Sequence, residues 1–186
     1  MSKRHQRYLC VEDYWDYTGL NRITELKQDY RKGMNMLRIL FICHGNVCRS
    51  SCAEYIFKDM LKKEDRSDDF YVESKATSTE ELGNGFYPPM EKVMISHGIM
   101  CSGHRARQMK KDDYDDFDLI IGMDSENMFY MKRLWPEDPG EKLKLLMDYT
   151  DNPREISDPW YTRDFEKAFK EIEEGCVALL DHLTEK

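Results

Sequence analysis

The chain of 186 residues is 40% hydrophobic and has a formal net charge of -8. That length and apolar content suffice for one domain with an ordinary core, and the acidic balance argues against broad nucleic-acid binding, which relies on Lys and Arg to neutralise phosphates. No uninterrupted apolar stretch has the length of a membrane span or of a signal peptide. We therefore expect a cytoplasmic protein without nucleic-acid or membrane partners.

The cysteines are scattered along the chain and lack the spacing of a secreted disulfide framework. There are six of them, at positions 10, 43, 48, 52, 101 and 176. Scattered thiols in a chain long enough to build its own core favour a reducing compartment, which agrees with the cytoplasmic prediction.

Residues 1–35 form an N-terminal extension whose role the sequence does not reveal, and residues 36–186 form the predicted domain. The extension is rich in aromatic side chains and has only a weak helical periodicity. Two interpretations are open. In one, translation starts at Met34 or Met36 and the extension is an artefact of start assignment. In the other, Trp15 and the neighbouring tyrosines dock on the domain or on a partner.

From Leu37 onward, short apolar runs alternate with longer segments of helical period, a pattern typical of parallel strands joined by crossover helices. We predict an α/β fold, a Rossmann-like three-layer sandwich with a central four-stranded parallel sheet flanked by helices. The predicted strands are 37–42, roughly 70–75, 118–123 and 143–147.

Four helices are predicted between and after these strands. An apolar stripe at helical spacing indicates the first, two prolines suited to a first helical turn indicate the second, and a capping side chain indicates the third. A long amphipathic stripe indicates the last. Their expected extents are 53–61, 88–98, from 124 or 125 to 134, and from about 163 to 182.

Residues 43–51, with the sequence CHGNVCRSS, connect the first strand to the first helix. A cysteine is a strong nucleophile only as the thiolate, and backbone N–H groups at a helix N-terminus, with the positive end of the helix dipole, favour that form. The same amides can surround three phosphoryl oxygens, while Arg49 offers a bidentate cation for two of them. The loop therefore predicts Cys43 as a nucleophile and Arg49 as a phosphate clamp.

The other residues of the loop suit this interpretation. Gly45 and Asn46 tolerate the positive φ that a tightly wrapped loop requires, and the Asn46 amide can brace the loop from within. The Ser50 hydroxyl can donate a hydrogen bond to the thiolate. The substrate-binding residues predicted in this loop are His44, Gly45, Asn46, Val47, Cys48 and Ser50.

Two other interpretations of the loop are open. In the first, Cys43 is a buried cysteine at a strand end and the Gly-Asn pair is an ordinary turn; the strand before and the helix after weigh against this. In the second, the two cysteines and the histidine of the loop bind zinc together with Cys52. Because Arg49 is an awkward cation among such ligands, we predict no metal and no other cofactor.

Thiolate attack on a phosphate monoester requires a general acid for the leaving group, and the later hydrolysis requires a base. Asp158 is our candidate, because its loop precedes the final helix and can overhang the carboxyl ends of the strands, where ligands bind in open parallel sheets. Pro159 restrains Asp158 to an extended backbone. Trp160 and Tyr161 could then wall a slot for a flat aryl phosphate. The alternative is an ordinary Asp-Pro turn followed by core aromatics.

Together these motifs resemble the low molecular weight protein tyrosine phosphatases. The resemblance covers about residues 36–184, and the acid follows the cysteine by 115 positions, whereas the other large tyrosine phosphatase class has its acid before the cysteine. The segments that carry it are the phosphate loop at 43–50, the acid loop at 158–161, and the segments 104–108, 117–118 and 123–127.

The resemblance implies an enzyme that hydrolyses phosphotyrosine through a cysteinyl-phosphate intermediate, with phosphotyrosyl proteins or aryl phosphates as substrates. It implies Cys43 as the nucleophile, Arg49 as the phosphate clamp and Asp158 as the general acid and then base. It also implies that His104 holds the loop in a hydrogen-bond network, and that Cys48 forms a reversible disulfide with Cys43 that protects it from overoxidation. No sequence feature indicates an oligomeric state.

The chain departs from the family pattern at three places. Ser51 replaces a usual proline, His44 replaces a commonly apolar pocket residue, and the extension has no counterpart.

Val47 stands where the related protein arginine phosphatases have Thr, which favours phosphotyrosine over phosphoarginine as the substrate. Thioredoxin-coupled arsenate reductases need two further mid-chain cysteines, whereas Cys101 is the only one between 53 and 175. The alternatives are a protein arginine phosphatase of the same fold and a non-catalytic phosphate-binding regulatory module.

Overall fold

Residues 36–184 are the part of the chain that the computed structural model describes, so the predictions for the N-terminal extension lie outside the described residues. Within 36–184, no helix has the length and apolar character needed to cross a membrane. In chain order the elements are β1 (Leu37–Cys43), α1 (Arg49–Lys63), β2 (Phe70–Ala76), α2 (Pro88–Ser96), α3 (Asp113–Asp116), β3 (Leu119–Gly122), α4 (Ser125–Leu134), β4 (Leu143–Leu145), a 3₁₀ helix (Leu146–Tyr149), α5 (Pro159–Thr162) and α6 (Phe165–Thr184).

The four strands form one parallel sheet in the order β2-β1-β3-β4. β1 is therefore central, with β2 on one side and β3 on the other. Strand addition changes direction between β1 and β3, and in open α/β sheets ligands bind at the carboxyl ends of the strands beside such a switch point. Cys43, the last residue of β1, lies at this place.

Side chains of β1 alternate between two hydrophobic cores, one on each face of the sheet. Ile39 and Phe41 belong to the core that α1 and α6 cover, while Leu40 and Ile42 belong to the core that includes Met131 of α4. All five side chains are fully buried. Because helices cover both faces, the central strand is apolar and buried from Ile39 to Cys43. The predicted three-layer sandwich with a four-stranded parallel sheet is confirmed.

The predicted strands and helices are confirmed, with two main differences at their ends. The strand predicted at 143–147 ends at Leu145, because the next two residues enter the 3₁₀ helix with fully buried side chains. The final helix begins at Phe165, because Arg163 has a φ of 60° and terminates α5. The four-residue helices α3 and α5 were not predicted, since a single turn is too short to show an apolar period. An apolar run thus indicates burial without distinguishing a strand from a 3₁₀ turn.

We expect Gly175→Ala in α6 to destabilise the fold by about 1–3 kcal/mol, the usual range for overpacking. A Cβ at this position would lie 2.6 Å from Leu146 Cγ and 3.2 Å from Met147 Sδ. This clash outweighs the helix propensity of up to about 1 kcal/mol that alanine has over glycine. Urea unfolding followed by circular dichroism measures the change. Val177→Ala is the control, since Val177 lies in the same helix and is 45% exposed; a stability of Gly175→Ala equal to the parent's would contradict the prediction.

Candidate active site

The loop between β1 and α1, residues 44–48, is fixed from outside by hydrogen bonds to its carbonyl oxygens and to that of Cys43. In a trans peptide the N–H points away from the C=O, so these bonds turn the following N–H groups toward the inside of the loop. That arrangement is an anion-binding concavity. The bonds are Thr77 N to Cys43 O at 2.9 Å, Ser78 N to His44 O at 3.0 Å, Tyr87 N to Val47 O at 2.8 Å, Cys52 N to Cys48 O at 2.9 Å and His104 Nε2 to Asn46 O at 2.5 Å.

The sulfur atom of Cys43 faces two hydrogen-bond donors. Asn46 N donates to Cys43 Sγ at 3.3 Å, and Ser50 Oγ lies 3.0 Å from the same sulfur. The Ser50 hydroxyl accepts a bond from Asn46 Nδ2 at 3.1 Å, so its own proton is available to Sγ, with Lys75 O at 3.4 Å as the more distant acceptor. Both donors are placed to bond the sulfur in its nucleophilic, thiolate form.

Asn46 is the internal brace of the loop. It is fully buried and has a φ of 55°, its Nδ2 also donates to Ser74 Oγ at 2.7 Å, and its Oδ1 accepts from Arg107 N at 3.0 Å. The expected positive φ is thus confirmed for Asn46, whereas Gly45 does not adopt it. A Cβ at position 45 would lie 3.0 Å from Glu81 Cγ, so a larger residue there would require the Glu81 side chain to shift.

His104 supports the loop from behind. Its side chain is buried and packs against Phe86, with ring centroids 4.9 Å apart. Because the Asn46 carbonyl can only accept, His104 Nε2 must carry the proton of their shared bond. Burial lowers the pKa of His104, although the bond to Asn46 and the charge of Glu54 oppose the shift. The neutral ring is therefore the form that holds the loop near pH 7.

A second line of polar contacts behind the loop was not predicted. Ser74 Oγ donates to Glu54 Oε2 at 2.5 Å, and Lys58 Nζ pairs with Glu54 Oε1 at 2.5 Å. The Ser74 oxygen can therefore accept from Asn46, because its proton is already committed to the carboxylate. No spacing in the sequence connects these residues to the loop, since β2 and α1 meet only in the folded sheet.

The guanidinium of Arg49 is 2% exposed and is held by two carboxylates. Nη1 donates to Asp124 Oδ2 and to Ile156 O at 3.1 Å, while Nη2 donates to Asp158 Oδ2 at 2.5 Å. Burial lowers the pKa of Arg49, but the negative charges of Cys43, Asp124 and Asp158 outweigh it and raise that pKa above its usual value. Among the described residues, these partners use three of five N–H donors. The Nε–Nη2 edge keeps two, which suit a pair of phosphoryl oxygens.

Asp158 joins the acid loop to the phosphate loop. Its Oδ1 accepts from Trp160 N at 2.8 Å, which caps α5, and its Oδ2 accepts from Arg49. Pro159 occupies the first position of α5 and is buried. The fold thus brings together the predicted acid and the predicted clamp, which lie 109 positions apart in the sequence.

A cavity of about 320 Å³ opens above the phosphate loop. The side chains of Asn46, Ser50 and His104 do not line it and support the loop from behind, so the substrate-binding role of Asn46 and Ser50 stays a prediction. Trp160 and Tyr161 are 51% and 81% exposed, as expected of residues at its mouth. The predicted site residues that line it are Cys43, His44, Gly45, Val47, Cys48, Arg49, Asp158, Trp160 and Tyr161, and the unpredicted ones are Glu80, Glu81, Tyr87 and Glu126.

Asp124 makes a contact at the candidate site that the sequence pattern concealed. It was predicted only as a candidate cap of α4, and its Oδ1 indeed accepts from Asn127 N at 2.7 Å. The other carboxylate oxygen binds Arg49. The only signal of this second role was that residues 123–127 belong to the resembling segments. Within 36–184, no group of three or more His, Cys, Asp or Glu side chains is arranged to hold a metal ion.

Comparisons with known proteins give the same relationship from sequence and from structure. Residues 38–186 match the family described as low molecular weight phosphotyrosine protein phosphatase. The low molecular weight protein-tyrosine-phosphatase YfkJ of Bacillus subtilis is 34% identical over 147 residues, covering 78% of this chain and 94% of that protein. Its crystal structure gives a TM-score of 0.76, covering 80% of this chain and 94% of that one.

Two further relatives bear on the substrate. The low molecular weight phosphotyrosine protein phosphatase of Gallus gallus is 37% identical over 153 residues, covering 77% of this chain and 93% of that protein. The crystal structure of DARP, drosophila arginine phosphatase, gives a TM-score of 0.74 at 27% identity, covering 81% of this chain and 99% of that one. Proteins named for two different phosphorylated side chains thus share this fold.

We expect Asp124→Ala to lower the free energy of unfolding by about 3 kcal/mol, because removal of one partner leaves the buried Arg49 cation short of compensating charge. Urea unfolding measures the loss. Asp124→Asn is the matched variant: it keeps an acceptor for the Asn127 N–H and removes only the charge. If Asp124→Asn is as stable as the parent while Asp124→Ala is not, the helix cap rather than the ion pair carries the stability, contrary to this prediction.

Proposed function

The chain belongs to the low molecular weight phosphotyrosine protein phosphatase family, and on that premise we propose that it hydrolyses phosphotyrosine in proteins, and aryl phosphates, through a cysteinyl-phosphate intermediate. The observation that carries the proposal is the ion pair between Arg49 and Asp158 beside the cavity that Cys43 lines. A nucleophile, a phosphate clamp and a proton donor around one cavity are the groups that this reaction needs.

In the first step, the Cys43 thiolate attacks phosphorus, an S–P bond forms and the P–O bond to the aryl oxygen breaks. The Nε–Nη2 edge of Arg49 binds two phosphoryl oxygens, and the inward N–H groups of the loop stabilise the charge that develops on them. Protonated Asp158 donates its proton to the leaving aryl oxygen. Its Oδ2 must then exchange the contact with Arg49 for one with that oxygen.

In the second step, water attacks the phosphorus atom of the cysteinyl phosphate and the S–P bond breaks. The Asp158 carboxylate accepts a proton from the water, which restores the acid for the next cycle, and inorganic phosphate is released. The Ser50 hydroxyl stabilises the departing Cys43 thiolate, because its proton is directed at the sulfur. Arg49 supplies the cation throughout, so we expect neither chelators nor added divalent ions to change the rate.

We expect p-nitrophenyl phosphate to be hydrolysed and vanadate to inhibit, and Cys43→Ser to abolish the activity. Asp158→Asn, which keeps the side chain's shape but cannot transfer the proton, should lower kcat by about 10²- to 10⁴-fold, the usual contribution of general acid-base catalysis. Asp151→Asn, at an exposed position outside the cavity lining, is the control. Hydrolysis that survives Cys43→Ser, or that strictly requires a divalent cation, would refute the mechanism.

A protein arginine phosphatase is the second candidate, favoured by the structural similarity to drosophila arginine phosphatase. We expect the phosphotyrosyl peptide to react faster than a phosphoarginyl peptide of the same sequence. The reasons are the aromatic side chains of Tyr87, Trp160 and Tyr161 and the aliphatic side chain of Val47 in the cavity lining. Initial rates on the two peptides, measured in parallel, decide between the two functions. Val47→Thr should lower the ratio of the phosphotyrosine rate to the phosphoarginine rate. Faster phosphoarginine hydrolysis would overturn the tyrosine assignment; no hydrolysis of either peptide would favour a non-catalytic phosphate-binding module.

We also propose that Cys48 forms a reversible disulfide with Cys43. Burial raises the pKa of the Cys48 thiol, as do the charges of Cys43 and Asp158, so Cys48 rests as a thiol beside the nucleophile. Peroxide should inactivate the parent enzyme reversibly and Cys48→Ser irreversibly, because a sulfenic acid without a resolving thiol is oxidised further. Recovery of activity on adding dithiothreitol measures this. Cys101→Ser, outside the cavity lining, should recover like the parent; equal recovery of Cys48→Ser would exclude the disulfide.

The cytoplasm is the location that we propose for this protein. All five cysteines within residues 36–184 are free thiols, which a reducing compartment preserves. Detection of the full-length chain in separated cell fractions tests the location.

A further inference from the structure

We propose that Tyr87 is a positioning residue for general acid catalysis: its ring sets the orientation of the acid loop, residues 158–161, relative to the phosphate loop. This inference rests on the proposed function, since it concerns the efficiency with which Asp158 protonates the leaving group. Tyr87 lies just before α2 and belongs to neither loop.

The acid loop has few contacts that could fix its orientation. Its helix α5 has only four residues, and a single helical turn is not stable by itself in water. Trp160 is half exposed and Tyr161 almost wholly so, whereas Pro159 is buried. Arg49 holds the Asp158 carboxylate from the inner side. Because that contact must open for proton transfer, other contacts have to hold the loop at that moment.

Tyr87 contacts both loops at once. Its backbone N–H donates to Val47 O of the phosphate loop at 2.8 Å. Its ring lies 5.3 Å from the ring of Trp160 and 5.6 Å from that of Phe165, centroid to centroid, at tilted angles of 58° and 39°. Phe165 begins α6, so the ring of Tyr87 packs against the acid loop and against the helix that follows it. Tilted aromatic pairs at these distances are attractive.

The backbone of Tyr87 is itself firmly fixed. The preceding Phe86 is buried and packs on Tyr55 at 5.2 Å and on His104 at 4.9 Å, behind the phosphate loop. The following Pro88 restrains Tyr87 to the extended conformation observed, with φ -63° and ψ 122°. The Tyr87 ring therefore holds the acid loop in a set position relative to the phosphate loop.

Displacement of Trp160 would move the acid directly. Trp160 N donates to Asp158 Oδ1 at 2.8 Å, so the carboxylate is bonded directly to the residue that carries the indole. Proton transfer requires the acid to lie about 2.6–3.2 Å from the leaving oxygen, and a misplacement of about 1 Å can lower the rate by about 10²-fold. Loss of the Tyr87 ring should thus impair protonation of the leaving group more than attack by Cys43.

The test compares kcat/KM for two aryl phosphates, because this quantity reports the steps up to departure of the leaving group. Phenol, with a pKa near that of tyrosine, about 10, needs protonation as it leaves, whereas the more acidic p-nitrophenol needs it less. We expect Tyr87→Ala to lower kcat/KM for phenyl phosphate by about 10-fold and that for p-nitrophenyl phosphate by less than about 3-fold. Direct contact of Tyr87 with the substrate ring would affect both esters similarly. The ratio of kcat/KM for p-nitrophenyl phosphate to that for phenyl phosphate therefore isolates the contribution of the acid.

Tyr87→Phe should keep the parent ratio, because the ring contacts do not involve the hydroxyl group. Tyr114→Ala is the matched control: Tyr114 also packs against a tryptophan, Trp135 at 6.1 Å, but outside the cavity lining. Trp160→Ala should reproduce the shift of Tyr87→Ala, and the double variant should shift no further, because Tyr87 acts through Trp160. If Tyr87→Ala does not fold, the half-exposed Trp160→Ala still provides the test.

An unchanged ratio in Tyr87→Ala or Trp160→Ala would overturn the inference, and so would a Tyr87→Phe variant that behaves like Tyr87→Ala. Additive shifts in the double variant would also overturn it, since they would mean independent roles. A parent protein that hydrolyses neither ester would count against the proposed function itself. A parent that hydrolyses both, with variants of unchanged ratio, would count against Tyr87 alone.

Discussion

The buried positive charge of Arg49 is the constraint on which the rest of the site depends. A guanidinium that is 2% exposed must be compensated within the protein, and Asp124 and Asp158 do so from two different connections. Asp124 follows β3 and Asp158 precedes α6, so one cation ties both connections to the loop after β1. The charge that would bind a phosphoryl group is thus also the charge that assembles the groups around it.

The hydrogen bonds that stabilise the phosphate loop also shape its anion-binding surface. Each bond to an outer carbonyl oxygen, such as that from His104 to Asn46, also turns an N–H group inward. The side-chain amide of Asn46 donates to Ser50 Oγ and so orients the Ser50 hydroxyl toward the sulfur of Cys43. Weakening the support behind the loop would therefore alter the anion-binding surface as well as the folding free energy, and the two effects should appear together in variants of His104.

The proposed nucleophile and the proposed acid lie in surroundings of opposite character, and the proposed mechanism needs both. Cys43 and Arg49 belong to a buried strand end and a buried first helical turn, which hold the attacking atom and the clamp in one geometry. Asp158 caps a four-residue helix at the cavity mouth, where Trp160 is half exposed. An acid that must leave Arg49 and reach an ester oxygen requires such a loop, while the ring of Tyr87 limits how far it moves.

The sequence by itself determined what is local: a strand, a short loop and a helix, with Cys43 and Arg49 six positions apart at the two ends of the loop. Local periodicity and turn chemistry decide such a unit, and the same patterns predicted a four-stranded parallel sheet. Only the tertiary structure decided which distant residues compensate the charge of Arg49. Asp124 is one of them, whereas the sequence pattern indicated only its role as a helix cap. The contact of Tyr87 with Trp160 is of the same kind. The physical reason is that strand order and loop packing bring these residues together, and no sequence spacing records that arrangement.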